Sequence, residues 1–229
     1  FDRDGNRKHH MQTLCALAHL DFNQLATHDY AQWFMAARDL GIGAETRRQI
    51  FARAAFNVMA ANCDDHTESA AFLLREVERS LAEAGHAAAS DGRQGLAEAG
   101  RAAASERERS LTEAGRAAAS ERGRSLAEAG RAAASEGGWG LAPAYDITHA
   151  YNPAGSWTHQ HLMSVNGVFS GISRGDLLTM ADRFGVPGAK SILERVASAV
   201  AGWPRFASLA GLPAEESDRV GRDLQPNLR

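Results

Sequence analysis

The feature that most constrains the fold of this chain is a block of near-identical repeats in its middle. The segment R-S-L-A-E-A-G-H-A-A-A-S-D-G-R, which starts at Arg79, recurs three more times with small changes and a period of 15 residues. Each copy holds one leucine among alanines and balanced Arg and Glu, and solenoid units are longer and carry more bulky apolar residues. The block therefore splits the chain into two flanks that have to supply the hydrophobic core. The register is marked by Leu81, Leu96, Leu111, Leu126 and Leu141.

The local pattern of the repeats favours helix. Three copies contain the S-x-x-E capping box, at Ser80/Glu83, Ser110/Glu113 and Ser125/Glu128. Fifteen residues overshoot four helical turns by about 60°, so the leucines spiral around the helix instead of forming one apolar stripe. We expect residues 79–138 to be an exposed, partly frayed or disordered helical insertion. A partner-binding coiled coil is the alternative, but the heptads that it needs are missing.

The flanks, residues 1–78 and 139–229, read as mostly helical with two small hairpins. Asp29 begins one predicted helix, and the run from 44 to 61 forms a second that leads directly into Asn62. A-F-L-L at 71–74 and W-G-L-A-P at 139–143 are expected to pair as strands with the repeats at their tip, where insertions are tolerated. Asn166-Gly167 predicts a second hairpin turn. Later helices are predicted after Ser173, after Pro187-Gly188 and at Pro213.

Composition excludes several classes of partner. The formal net charge is -3 and the pI is near 6.3, so no overall charge attracts the chain to nucleic acid or to an anionic membrane. No segment is long and apolar enough to span a bilayer. Cys15 and Cys63 are far apart and no secretion signal precedes them, so we expect reduced thiols and a cytoplasmic location. The first residue is Phe1, which suggests a C-terminal piece of a longer protein.

The acidic segment N-C-D-D-H-T-E-S at 62–69 is the strongest candidate for a site. Burying an unpaired carboxylate costs several kcal/mol, so Asp64, Asp65 and His66 indicate either a surface loop or a functional site. A helix, this loop, a short hairpin and then A-Y-D, ending at Asp146, follow one another as in the C-terminal lobe of protein kinases. In that order Asp64 would be the catalytic base and Asp146 the main Mg²⁺ ligand. Ser69 stands where a kinase has its metal-binding asparagine.

Four separated motifs make the resemblance more specific. F-D-R-D-G-N-R-K-H-H-M-Q-T-L, N-C-D-D-H-T, L-A-P-A-Y-D-I-T and W-T-H-Q-H-L-M-S-V-N-G occur in the order found in the C-terminal region of the HipA family, and together they resemble it. That family consists of serine/threonine kinase toxins of bacterial toxin-antitoxin systems. The resemblance covers nearly everything outside the repeats.

The resemblance implies a fold, cosubstrates and partners. It implies a kinase-like, mainly α-helical C-terminal lobe, ATP and Mg²⁺, a protein substrate phosphorylated on serine or threonine, and a helix-turn-helix antitoxin. Carried over to this chain, Asp64 and His66 are the catalytic candidates. Asp64, Ser69 and Asp146 are the candidates for binding the nucleotide, with Asp146 and Ser69 on the metal. The family's phosphate-covering N-terminal lobe is not recognisable in these residues.

The loop departs from the family pattern D-x-H-x-K-N at two positions, because this chain has Glu68 and Ser69 where the family has lysine and asparagine. Two readings of the function therefore stand open. The first is a HipA-like kinase lobe, and the second is a catalytically inactive lobe that serves only as a protein-binding module. A third, a metal-dependent phosphohydrolase built on Asp64, Asp65 and His66, needs more ligands than the sequence offers.

Structural roles compete with functional ones at several side chains. His66 is either a structural residue that hydrogen-bonds the loop backbone or a proton carrier. Asp65 reads as a solvated side chain or a helper metal ligand, and Cys63 as a small packing residue. His159 and His161 would face the same way on a strand, but a third metal ligand is missing nearby. The tryptophans read as core or hairpin anchors: Trp33, Trp139, Trp157 and Trp203.

Overall fold

The computed structural model describes residues 3–76 and 137–228. Almost the whole repeat block falls outside the described residues, so its helical state and the insertion at 79–138 stay predictions. The described residues form seven helices and seven short strands. The expected mainly α class with small sheets is confirmed to that extent. The helices are α1 Leu14–Ala18, α2 Tyr30–Asp39, α3 Ala44–Met59, α4 Arg174–Arg183, α5 Ala189–Ala201, α6 Trp203–Leu209 and α7 Ala214–Gly221.

Side-chain caps fix where two of the helices begin. The carboxylate of Asp29 accepts from the amide of Ala31 at 2.7 Å, and the side chain of Gln32 reaches back to the amide of Asp29. Ser173 and Asp176 form the same reciprocal arrangement at the start of α4. Both starts were predicted from sequence and are confirmed, because each depends only on residues three apart.

Helix α3 forms the centre of the core. Its buried positions recur at helical spacing, so one face of α3 is almost wholly apolar, and α5 packs against α3 more extensively than any other helix does. A second packing contact joins α2 to the end of α4: the rings of Phe34 and Phe184 stack with their centroids 4.6 Å apart. The buried apolar residues of α3 are Ile50, Phe51, Ala54, Ala55, Val58 and Met59.

Three small sheets complete the described part of the fold. The predicted pairing of 71–74 with 139–143 is confirmed: β5 (Ala71–Glu76) and β6 (Gly137–Leu141) are antiparallel, with Phe72 opposite Leu141. The sequence did not reveal that β3 (His10–Thr13) pairs with the other edge of β5. The others are a hairpin of β1 (Arg3–Asp4) with β2 (Arg7–Lys8), and a parallel pair of β4 (His28–Asp29) with β7 (Met163–Ser164).

The predicted turn at Asn166-Gly167 is also confirmed. Val165 and Val168 bridge across it, and both central residues have positive φ, 53° and 82°. Two consecutive left-handed residues are what a tight two-residue hairpin turn requires, and Asn-Gly is the pair that adopts them most easily. Among the helices described, none combines the length and the apolar character needed to cross a lipid bilayer.

Candidate active site

The acidic loop begins at the point where α3 ends. Ala61 has a left-handed backbone with φ 52°, and the amide of Asn62 donates to the carbonyl of Asn57 at 2.9 Å. This is the closure that a left-handed residue makes at a helix C-terminus. The amide of Gln225, near the end of the described chain, donates to the carbonyl of Met59 at 2.7 Å. The start of the loop is therefore held by backbone bonds from two directions.

The other end of the loop is held by the first turn of α1. The amides of Leu14 and Cys15 donate to the carbonyls of Ala70 and Thr67, at 2.6 and 3.3 Å. Amides in the first turn of a helix have no partner within the helix, so they are free to bind a neighbouring loop. Strand β5 then begins at Ala71. The loop is thus a fixed connection between α3 and β5.

The structure brings all four predicted site residues into one row. Asp64 Oδ1 lies 3.8 Å from His66 Nε2, and the Asp64 side chain is 47 % exposed. His66 Nδ1 lies 3.5 Å from Ser69 Oγ. Ser69 Oγ in turn lies 3.5 Å from Asp146 Oδ2, although the two residues are 77 positions apart in sequence. These are long contacts, so the row is loosely coupled while remaining continuous.

The imidazole of His66 lies in the middle of this row. The neighbours of its ring nitrogens are the side chains of Asp64 and Ser69, and its ring lies 6.0 Å from that of Phe22. The expected contact between His66 and the loop backbone is therefore replaced by contacts with side chains. An imidazole between a carboxylate and a hydroxyl can orient either group or exchange a proton with it.

Asp146 adopts an unusual backbone conformation. Its φ is 52°, in the left-handed region, which costs a residue with a Cβ about 1–2 kcal/mol. The side-chain amide of Asn62 donates to the carbonyl of Asp146 at 3.0 Å. One such bond contributes about 0.5–1.5 kcal/mol, so it offsets much of the strain. Strained backbone of this kind is concentrated at functional sites, where the surrounding structure holds it in place.

The oxygens of Asp146 and Ser69 suit a small hard cation. Magnesium prefers oxygen ligands at about 2.0–2.1 Å in an octahedron, so neighbouring ligands stand about 2.9 Å apart. Asp146 Oδ2 and Ser69 Oγ, at 3.5 Å, need to approach by only a few tenths of an ångström each. Two protein oxygens are a typical protein share of a magnesium site whose other ligands are water and phosphate.

A metal site built from protein side chains alone has no support. Across residues 3–76 and 137–228, no three His, Cys, Asp or Glu side chains converge as a metal-binding group. His161 is buried against Asp65, whereas His159 is exposed, so these two do not form the two-histidine site considered from the sequence. The Asp64, Asp65 and His66 cluster likewise lacks the ligand set of a phosphohydrolase within the described residues.

The interpretation of Asp65 as a solvated side chain is wrong. Its side chain has no exposed surface, and its carboxylate accepts three hydrogen bonds. Tyr30 Oη donates at 2.7 Å, the amide of Leu162 at 2.8 Å, and His161 Nδ1 lies at 3.0 Å. Asp64 faces outward and Asp65 inward, and three donors offset the cost of burying the inner carboxylate.

Tyr30 joins this carboxylate to the end of α3. Its hydroxyl, fully buried, also accepts from Asn57 Nδ2 at 2.9 Å. Burial and the adjacent Asp65 raise the pKa of Tyr30 well above its ordinary value, so the phenol keeps its proton. Asn57 Oδ1 then accepts from Asn62 Nδ2 at 3.0 Å. A continuous buried network therefore runs behind the exposed row of site residues.

Two further groups beside the site are held in their neutral form. Burial raises the pKa of the Cys63 thiol to about 12, with Asp65 adding to the effect. Cys63 is 4 % exposed, which fits the small packing residue expected from sequence. Burial likewise raises the pKa of Tyr145 to about 12, and the Tyr145 hydroxyl donates to the carbonyl of Glu68 at 2.6 Å. Neither group supplies an anion to the site at neutral pH.

The enclosed space between the row and the network is very small. A cavity of about 20 Å³ is lined by residues of both, among them Asn62, Ser69, Asp146 and Arg53. That volume accommodates about one water molecule. Arg53 lies at this cavity but donates to the carbonyl of Ala142 at 2.7 Å. A nucleotide could therefore only meet the site from the solvent side, where Asp64 and Asp146 are accessible.

Sequence reasoning missed the residues that hold the site from behind. Tyr30 was seen only as the first residue of a helix, Asn57 was hidden in an apolar helix face, and Asn62 was a boundary marker. One signal was available in the sequence, a polar residue among apolar ones: Asn57 lies on the buried face of α3 and is 7 % exposed. A buried amide on an apolar face needs a partner, which points to an internal network.

The first half of the chain matches a known family model. The HipA-like C-terminal domain model matches residues 1–119, just over half of the 229 residues. The match contains the acidic loop and its row as far as Ser69, while Asp146 lies beyond it. No curated protein matches the chain at a significant level. The chain belongs to the family of proteins with a HipA-like C-terminal domain.

Proposed function

We propose that this chain is the phosphoryl-transfer lobe of a HipA-like serine/threonine kinase. The observation that carries the proposal is the convergence of Ser69 and Asp146. Their oxygens come within 3.5 Å across 77 residues of sequence, at the two positions where a kinase lobe places its metal ligands. The match to the HipA-like C-terminal domain model supports the same reading, because the family that the motifs resemble consists of serine/threonine kinase toxins.

In the proposed reaction Asp64 acts as the base. Phosphoryl transfer needs a carboxylate that accepts or orients the proton of the attacking hydroxyl. A substrate hydroxyl can reach Asp64, because its side chain is 47 % exposed, whereas the side chain of Asp65 is fully buried. His66 Nε2, 3.8 Å from Asp64 Oδ1, is the second catalytic candidate, and a modest approach would let it hydrogen-bond this carboxylate.

Asp146 and Ser69 would hold Mg²⁺ against the triphosphate of ATP. Bound there, the ion neutralises charge on the phosphates as the terminal group is transferred. The chain's own contribution is to keep these two oxygens close, Asp146 through its left-handed backbone and Ser69 through the fixed loop. The proposed acceptor is a serine or threonine hydroxyl of a protein in the cytoplasm, and a helix-turn-helix antitoxin is the proposed inhibitor.

A non-catalytic binding module is the second candidate. Glu68 and Ser69 favour it, because the family has lysine and asparagine at these positions. Serine offers a shorter ligand than an amide oxygen, and Glu68, which is exposed, adds negative charge beside the phosphate site. Such a module would keep the fold and bind a protein partner without transferring phosphate.

A transfer assay with ATP labelled in the γ-phosphate separates the two candidates. The chain is incubated with Mg²⁺, labelled ATP and a bacterial translation extract, and labelled proteins are located by mass spectrometry. Asp64→Asn should lower transfer by about 10²–10⁴-fold while leaving the fold intact. Asp182→Asn, an exposed aspartate on α4, is the matched control and should have no effect.

The asparagine variant Ser69→Asn decides where a defect lies. Transfer by the original chain supports the kinase. Transfer only by Ser69→Asn would locate the defect at the metal and still support the proposed ancestry of the site. Absence of transfer by both folded proteins would reject the kinase and leave the binding module.

A further inference from the structure

Four buried polar residues, Asp65, Tyr30, Asn57 and Asn62, form an unbroken chain of hydrogen bonds that ends on the backbone carbonyl of the exposed Asp146. The links are Tyr30 Oη to Asp65 at 2.7 Å, Asn57 Nδ2 to Tyr30 at 2.9 Å, and Asn62 Nδ2 to Asn57 at 3.0 Å. The last link runs from Asn62 Nδ2 to the carbonyl of Asp146, again at 3.0 Å. Each link joins two separate parts of the fold, so these hydrogen bonds connect α2, α3, the acidic loop and the segment that carries Asp146.

Chemistry fixes the direction of every link. A carboxylate has no proton to give, so the single proton of Tyr30 is committed to Asp65 and its oxygen accepts from Asn57. The nitrogen of the Asn57 amide therefore faces Tyr30, and its oxygen faces the next residue. The side-chain oxygen of Asn57 can only accept, so Asn62 donates to it through its side-chain nitrogen.

The second hydrogen of Asn62 Nδ2 is donated to the backbone carbonyl of Asp146. If the Asn62 amide were reversed, its oxygen would face the carbonyl oxygen of Asp146 and the two acceptors would repel each other. The orientation of Asn62 is thus fixed by two acceptors, Asn57 Oδ1 and the carbonyl of Asp146. An asparagine oriented by its neighbours is a preorganised donor, unlike one that rotates freely.

We propose that Asn62 is a positioning residue that holds Asp146 in its left-handed conformation. Asp65 sets this role by fixing, through Tyr30, which end of each amide faces the next group. The carboxylate of Asp146 then lies 3.5 Å from Ser69 Oγ, close to the spacing that two ligands of one metal ion need. The part of this inference that concerns metal binding rests on the proposed kinase function, whereas the backbone conformation does not.

The first test measures the backbone of Asp146 without any metal. Carbon-13 chemical shifts of Cα and Cβ report backbone dihedral angles, so they are recorded for Asp146 in the full labelled chain. Asn62→Ala should move them away from left-handed values. Tyr30→Phe, which deletes one hydroxyl, should move them in the same direction because Asn57 loses its fixed partner. Tyr151→Phe, a partly exposed tyrosine for which the structure gives no hydrogen bond, is the control and should leave them unchanged.

A double variant separates relay from general loosening. If Tyr30 acts through Asn62, adding Tyr30→Phe to Asn62→Ala should not move the Asp146 shifts further. Unchanged shifts in either folded single variant, or fully additive effects in the double variant, would overturn the proposal. If Asn62→Ala does not fold, the comparison of Tyr30→Phe with its control decides alone.

The second test uses Mn²⁺ as the probe of the metal site. The full chain is titrated with Mn²⁺ and free ion is followed by electron paramagnetic resonance. Loss of one hydrogen bond predicts that Tyr30→Phe weakens Mn²⁺ binding about two- to tenfold, and Tyr151→Phe leaves it unchanged. Asp146→Asn should abolish binding.

The two tests fail independently. A parent chain that binds no Mn²⁺ but keeps left-handed Asp146 shifts defeats the metal assignment of the proposed function and leaves the positioning role standing. Mn²⁺ binding that is insensitive to Tyr30→Phe, with Asp146 shifts equally insensitive, rejects the positioning role and leaves the metal assignment standing.

Discussion

Removing the hydroxyl of Tyr30 is the sharpest test of the buried network, because Tyr30→Phe changes one atom at its hub. Tyr30 has no exposed surface, and the substitution keeps its aromatic ring. The bond to the carboxylate of Asp65, at 2.7 Å, is charge-assisted and contributes about 1.5–3 kcal/mol. The bond from Asn57, at 2.9 Å, contributes about 0.5–1.5 kcal/mol.

Together these two bonds predict that Tyr30→Phe lowers the free energy of unfolding by about 2–4 kcal/mol. Asp65 keeps two donors, Leu162 and His161, so the loss stays below the cost of a fully unpaired buried carboxylate. Since small domains unfold with about 5–15 kcal/mol, the variant should fold but be clearly weakened.

Equilibrium unfolding in urea, followed by tryptophan fluorescence and circular dichroism, measures the effect. With a slope of about 2 kcal/mol per molar urea, a loss of 3 kcal/mol moves the midpoint down by about 1.5 M. Tyr151→Phe is the matched control and should change stability by less than about 0.5 kcal/mol. A Tyr30→Phe variant as stable as this control would refute the network as a source of stability.

Four other predictions concern the buried carboxylate, the buried thiol, the core and the repeats. Asp65→Asn should cost about 2–4 kcal/mol of unfolding free energy in the same urea assay, whereas Asp64→Asn, whose side chain is 47 % exposed, should cost less than about 0.5 kcal/mol. Because the pKa of Cys63 is raised to about 12, its thiolate population at pH 8 is about a thousandfold below that of an ordinary thiol. Alkylation of Cys63, followed by mass spectrometry, should therefore be slow at pH 8 and should accelerate as the pH rises toward 12. Rapid labelling of the folded chain at pH 8 would contradict this. Phe34→Ala should cost about 3–5 kcal/mol because it empties the stack on the core, and a loss below 1 kcal/mol would argue against that packing. Deleting residues 79–138 should leave a cooperative thermal transition if the repeats are an insertion, and loss of the transition would overturn that assignment.

Much of the fold was open to sequence reasoning because its signals are local. The capping residues of α2 and α4, the Asn166-Gly167 turn and the pairing of the two strands around the repeats were all predicted correctly. Each depends on residues a few positions apart or on short apolar runs bounded by turn residues. What escaped prediction was the short helices α1 and α6, the β1–β2 hairpin, β3 and the parallel pair of β4 with β7. Segments of two to seven residues carry too little pattern to reveal an element or its partner.

The sequence alone determined the residue types of the site and their spacing within the loop. Asp64, His66 and Ser69 lie close together because they are two and three residues apart, and Asp146 was found through the order of motifs. The sequence already pointed to Asp64 as the candidate base, but only the tertiary structure showed that Asp65 beside it is buried. A loop has no fixed period, so its sequence does not say that Asp65 faces inward to Tyr30 and His161, 35 and 96 positions away. Only the folded chain brings those donors to the Asp65 carboxylate, because the hydrogen bonds that bury it join segments far apart in sequence.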